Sequence, residues 1–437
     1  MNDLSDFSLK PYGWALECLN VHQAHRITRS SADIIVAVID LGYRHHPMME
    51  GHLWEKSIPG IGTVNGYDAF SDDYTLEYDN PQNDYHKGHH VFVAGEIANT
   101  APECKIMIVR VGYGNPDCWS KAVRFAVDNG ASVIVMPHGY LNGEREYGKS
   151  LFELGGDFAF PYDNTELLEA LDYAYDNDCM IFSGTCDNRG RRVAYYTGTD
   201  AVIAVGSSNR HHLPADICDS ADYVDMAAPG GERKGKPETD HIYGYGGDQN
   251  YIFFTGGCMA CGFAGGVAAL VRARFPQLKN EQIKQIMQNT AYMPQQLPVD
   301  EDGKSDLLGY GIVDAYACVS VKEDQLHHHV DVNDAKIVDQ TICFTLKNQG
   351  VFNSNRTLVT VYNGNPALPP AAEKGKALPS MTVKQIDHTV VKVRGFQEVQ
   401  GKIPLKQEQR ASDLWLEVYS LDRHSGGYVS RLKIRND

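Results

Sequence analysis

Cys258 stands at the head of Thr255-Gly256-Gly257-Cys258-Met259-Ala260-Cys261-Gly262-Phe263-Ala264-Gly265-Gly266, a tight glycine turn that opens into a helix rich in small residues. Unpaired backbone N–H groups and the positive end of the helix dipole meet at such a start, and a thiol placed there ionises more readily. Alone, a cysteine is more often apolar filler, and Cys258-Met259-Ala260-Cys261 also has the C-x-x-C spacing of redox pairs. Nucleophilic catalysis needs a base and a group to orient it. His89 opens a second helix of small residues, Gly88-His89-His90-Val91-Phe92-Val93-Ala94-Gly95-Glu96-Ile97-Ala98. Asp40 ends the run Asp33-Ile34-Ile35-Val36-Ala37-Val38-Ile39-Asp40, where α/β folds build their sites. His86, His89 and His90 crowd one helix start, but H-x-x-H-H lacks the i, i+4 partner and downstream ligand of a zincin. No metal and no cofactor are expected.

The elements that must bring these residues together alternate. β-branched runs at Asp33–Asp40, Lys105–Val111, Ala131–Met136, Cys179–Phe182, Ala201–Gly206 and Tyr223–Gly230 read as strands buried on both faces of a parallel sheet. Helical periodicity covers Pro11–Thr28, Trp119–Asn129, Leu167–Asp176 and Asn280–Gln288. The polar stretch after Asp40 as far as Asp84 reads as loop, and Leu141–Asn164 as an insertion. This pattern predicts a doubly wound α/β domain over residues 1–322. From about Val330 short alternating runs, Thr341–Leu346, Thr357–Tyr362, Thr389–Val393 and Leu414–Tyr419, are joined by Gly, Pro and Asn turns. They predict an all-β sandwich over 335–437, an accessory module. The linker, Lys322 to Asp334, carries His327-His328-His329, read as a solvated loop.

With 437 residues the chain exceeds a single core, and 43% hydrophobic against 22% charged residues is ordinary for a globular protein. A net charge of −16 argues against nucleic acid and anionic membrane as partners. No run is long enough for a membrane span. The first residues, Met1-Asn2-Asp3-Leu4-Ser5-Asp6, lack the basic and apolar parts of a secretory signal. The 10 cysteines are irregularly spaced, so reduced thiols and a cytoplasmic location are expected.

The order acid, histidine, nucleophile resembles that of the subtilisin-like serine proteases, the subtilases. The resemblance runs from about residue 10 to 320. Val36-Ala37-Val38-Ile39-Asp40 and His46-Pro47 are similar to the family's aspartate strand and the His-Pro after it. Gly88-His89 with Val93-Ala94-Gly95 resembles G-H-G-T-H-V-A-G. Gly256, Met259-Ala260 and Gly265 resemble G-T-S-M-A-x-P-x-V-A-G, which puts Cys258 in the serine's place. Ala227-Ala228-Pro229-Gly230 and Gly309-Tyr310-Gly311-Ile312-Val313-Asp314-Ala315 match further blocks. The departures are Leu41, His90, Val91, Phe92, Gly257 and Gly262, the last where the family has proline.

The resemblance implies a triad in which Asp40 orients His89 and His89 takes the proton of Cys258. It implies an oxyanion hole of the Cys258 N–H and an amide from Cys186-Asp187-Asn188-Arg189-Gly190. Asn188 is favoured over Asp187, because an amide can donate to an oxyanion and a carboxylate cannot. Pro137-His138-Gly139-Tyr140 lies where the family pairs its peptide substrate by strand addition. Three functions fit: a peptidase acting on a peptide or protein substrate through a thioester, a peptide ligase or acyl transferase on the same site, and an inactive pseudoprotease that binds peptides.

Overall fold

The β-branched run ahead of Asp40 forms β1 (Ile35–Asp40), buried along nearly its whole length. Six more strands join it: β4 (Gly66–Asp68), β5 (Lys105–Arg110), β6 (Val133–Met136), β7 (Met180–Gly184), β8 (Val202–Ser208) and β9 (Met226–Pro229). They lie in the order β4-β5-β1-β6-β7-β8-β9, and every pairing is parallel. A short antiparallel pair, β2 (Lys56–Ile58) and β3 (Gly62–Val64), lies outside this sheet. This computed structural model describes residues 13–77, 88–112, 117–137, 165–185, 196–233, 238–247, 250–366, 384–405, 414–422 and 429–436. The chain divides into two compact units, Met1–Ser320 and Val321–Asp437.

Strands buried on both sides need a helix layer on each face. On one face α4 (Asp117–Asp128) and α5 (Thr165–Asp176) pack Trp119, Ala122, Leu167 and Leu171 against Ala37, Ile39, Met107 and Ile134. On the other, α3 (His89–Thr100) and α6 (Gly257–Arg274) pack against each other and against the sheet. α6 reaches its place because it is thin: a Cβ on Gly265 would stand 2.4 Å from Val135 Cγ2. α7 (Asn280–Asn289) and α8 (Ala315–Ser320) follow.

Three local expectations are corrected. The single helix expected over Pro11–Thr28 is two short ones, α1 (Trp14–Cys18) and α2 (Val21–Ala24). The break is Asn20, at φ 54° in the left-handed region that Asn tolerates, with its amide donating to Asp314 Oδ2 at 2.8 Å. The stretch read as loop after Asp40 contains β2, β3 and the sheet-edge strand β4. A hairpin, β10 (Ile242–Tyr245) with β11 (Tyr251–Phe254), precedes α6 and was not expected. The insertion Leu141–Asn164, His86 and Asp84 lie outside the described residues.

In the second unit β12 (Val330–Val338), β13 (Thr341–Asn348), β16 (Glu398–Pro404) and β19 (Arg435–Asn436) form one sheet. β14 (Ser354–Asn363), β15 (Lys384–Val393), β17 (Leu414–Ser420) and β18 (Val429–Lys433) form the other. Ala335, Ile342, Phe344 and Leu346 from the first share a core with Val359, Val361, Leu416 and Val418 from the second, which makes a sandwich. β12 begins inside the expected linker. His328 is 6% exposed, so the triple-histidine stretch is not a solvated loop. Its backbone is tied down by His329 N–H donating to Asn348 Oδ1 at 2.9 Å and Phe352 N–H donating to His327 O at 3.1 Å.

The seat of α6 on the sheet yields a test. A Cβ on Gly184, at the end of β7, would stand 2.7 Å from both C and O of Gly257. Backbone cannot rotate away, so Gly184→Ala is expected to destabilise the first unit by about 1–3 kcal/mol, read by chemical denaturation. Unchanged stability would mean that the start of α6 is not held as described.

Candidate active site

From β1 the chain runs out to the edge strand β4, steps back to β5, then crosses β1 to β6. The carboxyl end of β1 is therefore a topological switch point, where open α/β sheets leave a crevice. Asp40 is the last residue of β1, Pro137 directly follows β6, and Thr185 directly follows β7. These positions share one edge of the sheet.

Asp40 is fully buried, with both carboxyl oxygens engaged. Oδ1 accepts from the Leu41 N–H at 2.6 Å, and Oδ2 accepts from His89 Nδ1 at 2.7 Å. His89 is the first residue of α3 and is itself buried. Its neighbour Gly88 lies close against β11: a Cβ there would stand 2.9 Å from Ile252 Cδ1, so that methyl would have to shift. The proton on Nδ1 leaves Nε2 as the lone-pair nitrogen of the ring, the tautomer a general base requires. His90, where the subtilase motif has glycine, turns the other way, its Nε2 at 3.1 Å from the carbonyl oxygen of Val38.

Cys258 lies in the first turn of α6, partly exposed, and its Sγ donates to the carbonyl of Pro137 at 2.9 Å. Of the residues expected to bind substrate, Pro137 is thus in contact with the thiol. His138, Gly139, Tyr140, Asp187 and Asn188 lie outside the described residues. Cys261 is buried and its Sγ donates to the Gly257 carbonyl at 3.1 Å; both cysteines are reduced thiols. Cys261 therefore packs inward, as an apolar filler does.

Phe254, the last residue of β11, was missed in the sequence. Its ring meets that of His89 edge-on at 5.6 Å and that of Phe92 at 5.0 Å. Phe92 stands where the family motif has its second histidine, so one aromatic wall backs both positions. The alternation in Ile242-Tyr243-Gly244-Tyr245 and Tyr251-Ile252-Phe253-Phe254 around Gly246-Gly247 was the available hairpin signal.

A buried Asp–His pair at the switch point of a seven-stranded parallel sheet defines a chain with the subtilisin-like α/β fold. The sequence profile of Peptidase S8, the subtilase family, matches residues 31–311, and the chain belongs to that family. Fervidolysin of Fervidobacterium pennivorans is 26% identical over 334 residues, 69% of this chain and 42% of that protein. Mycosin-4 of Mycobacterium tuberculosis is 28% identical over 348 residues, 69% of this chain and 68% of its own length. The chain thus spans less than half of the first relative and about two thirds of the second. Among solved structures a lanthipeptide protease superposes with a TM-score of 0.58 at 22% identity, covering 72% of this chain and 96% of that one. The epidermin leader peptide processing serine protease of Staphylococcus aureus does so with 0.54 at 16%, covering 72% and 82%. At these identities the likeness is one of fold.

The Asp40–His89 bond makes a spectroscopic prediction. Asp40→Asn turns an acceptor-only group into one that can also donate an N–H. Nitrogen NMR of the His89 ring is expected to show the proton on Nδ1 in the parent and on Nε2 in the variant, with activity lower by about 10⁴-fold where His89 serves as base. The same tautomer in both proteins would contradict the orienting role of Asp40.

Proposed function

We propose that the chain is a peptidase of the subtilase class with Cys258 as nucleophile, Asp40 and His89 completing the triad. The observation that carries this reading is the bond from His89 Nδ1 to buried Asp40, with Cys258 opening the helix that packs against the helix of His89. Sγ attacks the scissile carbonyl carbon as its proton passes to His89 Nε2. The tetrahedral oxyanion takes the backbone N–H of Cys258 and the Asn188 amide, with Asp187 the weaker candidate. Collapse breaks the C–N bond, the imidazolium gives its proton to the leaving amine, and a thioester remains. Water, deprotonated by His89, then releases the acid and the thiol. A peptide or protein strand would lie along Pro137–Tyr140. No helix among the described residues is long and apolar enough to cross a membrane. A reducing, cytoplasmic setting would suit a free thiol at this position.

A thiol-reactive peptide electrophile, with mass spectrometry of the adduct, tests whether Cys258 is the labelled residue. Turnover of a peptide pool with and without added amine separates hydrolysis from ligation, and failure of both labelling and turnover favours a pseudoprotease. Cys258→Ser is expected to be at least about a hundredfold slower than the parent, a loss of about 2.7 kcal/mol in transition-state stabilisation. Serine stays un-ionised where a thiol can be brought down to about 3.5–7.5. A serine variant as fast as the parent would refute a thiol enzyme.

A further inference from the structure

Beneath the candidate site two helices bury polar groups against glycines. α3 descends from His89 past Glu96 to Thr100, while α6 descends from Cys258 past Gly262 to Gly266. Glu96 is two turns from His89 and so on the same face; Gly262 is one turn from Cys258. A Cβ built on Gly262 would lie within 2.3 Å of Glu96 Oε2 and 3.2 Å from Val93 Cγ1, and one on Gly266 would be 2.6 Å from Thr100 Cβ. The Glu96 carboxyl therefore occupies the side-chain space that α6 gives up at Gly262. Glu96 is 3% exposed, and neither of its oxygens has a hydrogen-bond partner among the described residues.

We propose that Glu96 is a positioning residue for the nucleophile helix. It fills the place of the missing side chain at Gly262 and thereby sets the height of Cys258 against His89. The inference deepens the peptidase reading and rests on it for the roles of Cys258 and His89.

The surroundings decide in which form Glu96 does this. On the elements packed against α3, the titratable groups are Cys258, Cys261, Arg272 and Arg274 on α6, Tyr243 and Tyr245 on β10, Asp40 on β1, and Lys105 and Arg110 at the two ends of β5. His46 adjoins the short turn Pro47–Met49, and His89 and His90 are on α3 itself. The cations have other partners: Arg272 pairs with Asp178, Arg110 with Asp68, Lys105 donates to the Gly51 carbonyl, and the Arg274 guanidinium lies over the Phe275 ring at 4.7 Å. Burial with no compensating charge pushes the Glu96 carboxyl well above its ordinary 4.5 and favours the neutral acid. A group that holds its proton more tightly when folded loses that stabilisation as pH rises from its unfolded value towards its folded one.

The test uses the full chain and four variants: Glu96→Gln, Glu96→Ala, Gly262→Ala and the double alanine. Denaturation from pH 4 to 9 is expected to show the folding constant of Glu96→Gln gaining on the parent by about tenfold per pH unit above 4.5, until the folded group titrates. The rate of Cys258 alkylation by iodoacetamide is expected to fall about tenfold in Glu96→Ala and to be rescued by Glu96→Gln. Gly262→Ala should slow alkylation in the parent, yet restore part of it in Glu96→Ala, where the added methyl refills the space. Parallel pH dependence of stability in the parent and Glu96→Gln would overturn the neutral acid. Purely additive alanine effects would overturn the matched pair. If both predicted results hold while no variant turns over a peptide, the peptidase reading fails and the placing of Glu96 stands.

Discussion

The close approach of α3 and α6 is the constraint on which the rest of the first unit depends. One helix begins at the imidazole and the other at the thiol, so their separation decides whether the two groups can act together. Helices ordinarily pack at about 8–10 Å depending on the side chains between them. Here the seam is lined on the α6 side by Gly262 and Gly266, which give up side-chain volume at some cost in helix propensity. Burial of α6 from Gly257 to Arg272, broken only at Cys258, offsets that cost. The one partly exposed residue in that span is Cys258.

The sheet imposes the second condition. A carboxyl group as deeply buried as Asp40 is unfavourable unless its oxygens are satisfied. The Leu41 N–H and the His89 ring supply those bonds. The same two bonds that make Asp40 tolerable also fix the imidazole's orientation. Satisfying the carboxylate and orienting the ring are therefore one arrangement, and neither can be altered alone. Phe254 adds an apolar contact, its ring edge-on to that of His89 at 5.6 Å.

How much of this was legible in the sequence follows from what each element depends on. Strands buried on both faces announce themselves as unbroken β-branched runs, so β1, β5, β6 and β7 were readable near their true ends. β4 was not: three residues, Gly66-Tyr67-Asp68, carry no period, and pairing with β5 alone makes them a strand. The hairpin β10–β11 was passed over because its aromatics alternate around glycines without the β-branched richness of the sheet strands. Asn20 looked helical because only its bond to Asp314, far along the chain, holds it in the left-handed region. Asp40, His89 and Cys258 were visible through their flanking residues, whereas Glu96 was not. A glutamate in a helix reads as a solvated face, and nothing local says that two glycines of another helix lie against it.

That last point changes the meaning of Gly262. In the sequence, Gly262 is simply a departure from the family's proline. In the fold, the space above Gly262 is already occupied by the Glu96 carboxyl. A proline there would bring ring atoms into that space, whatever atom sits at position 258. The glycine is thus explained by its neighbour on α3 and says nothing about which atom stands at position 258. The case for a thiol nucleophile then rests on Cys258 itself: partly exposed, in the first turn of α6, with its Sγ against the Pro137 carbonyl at the carboxyl edge of the sheet.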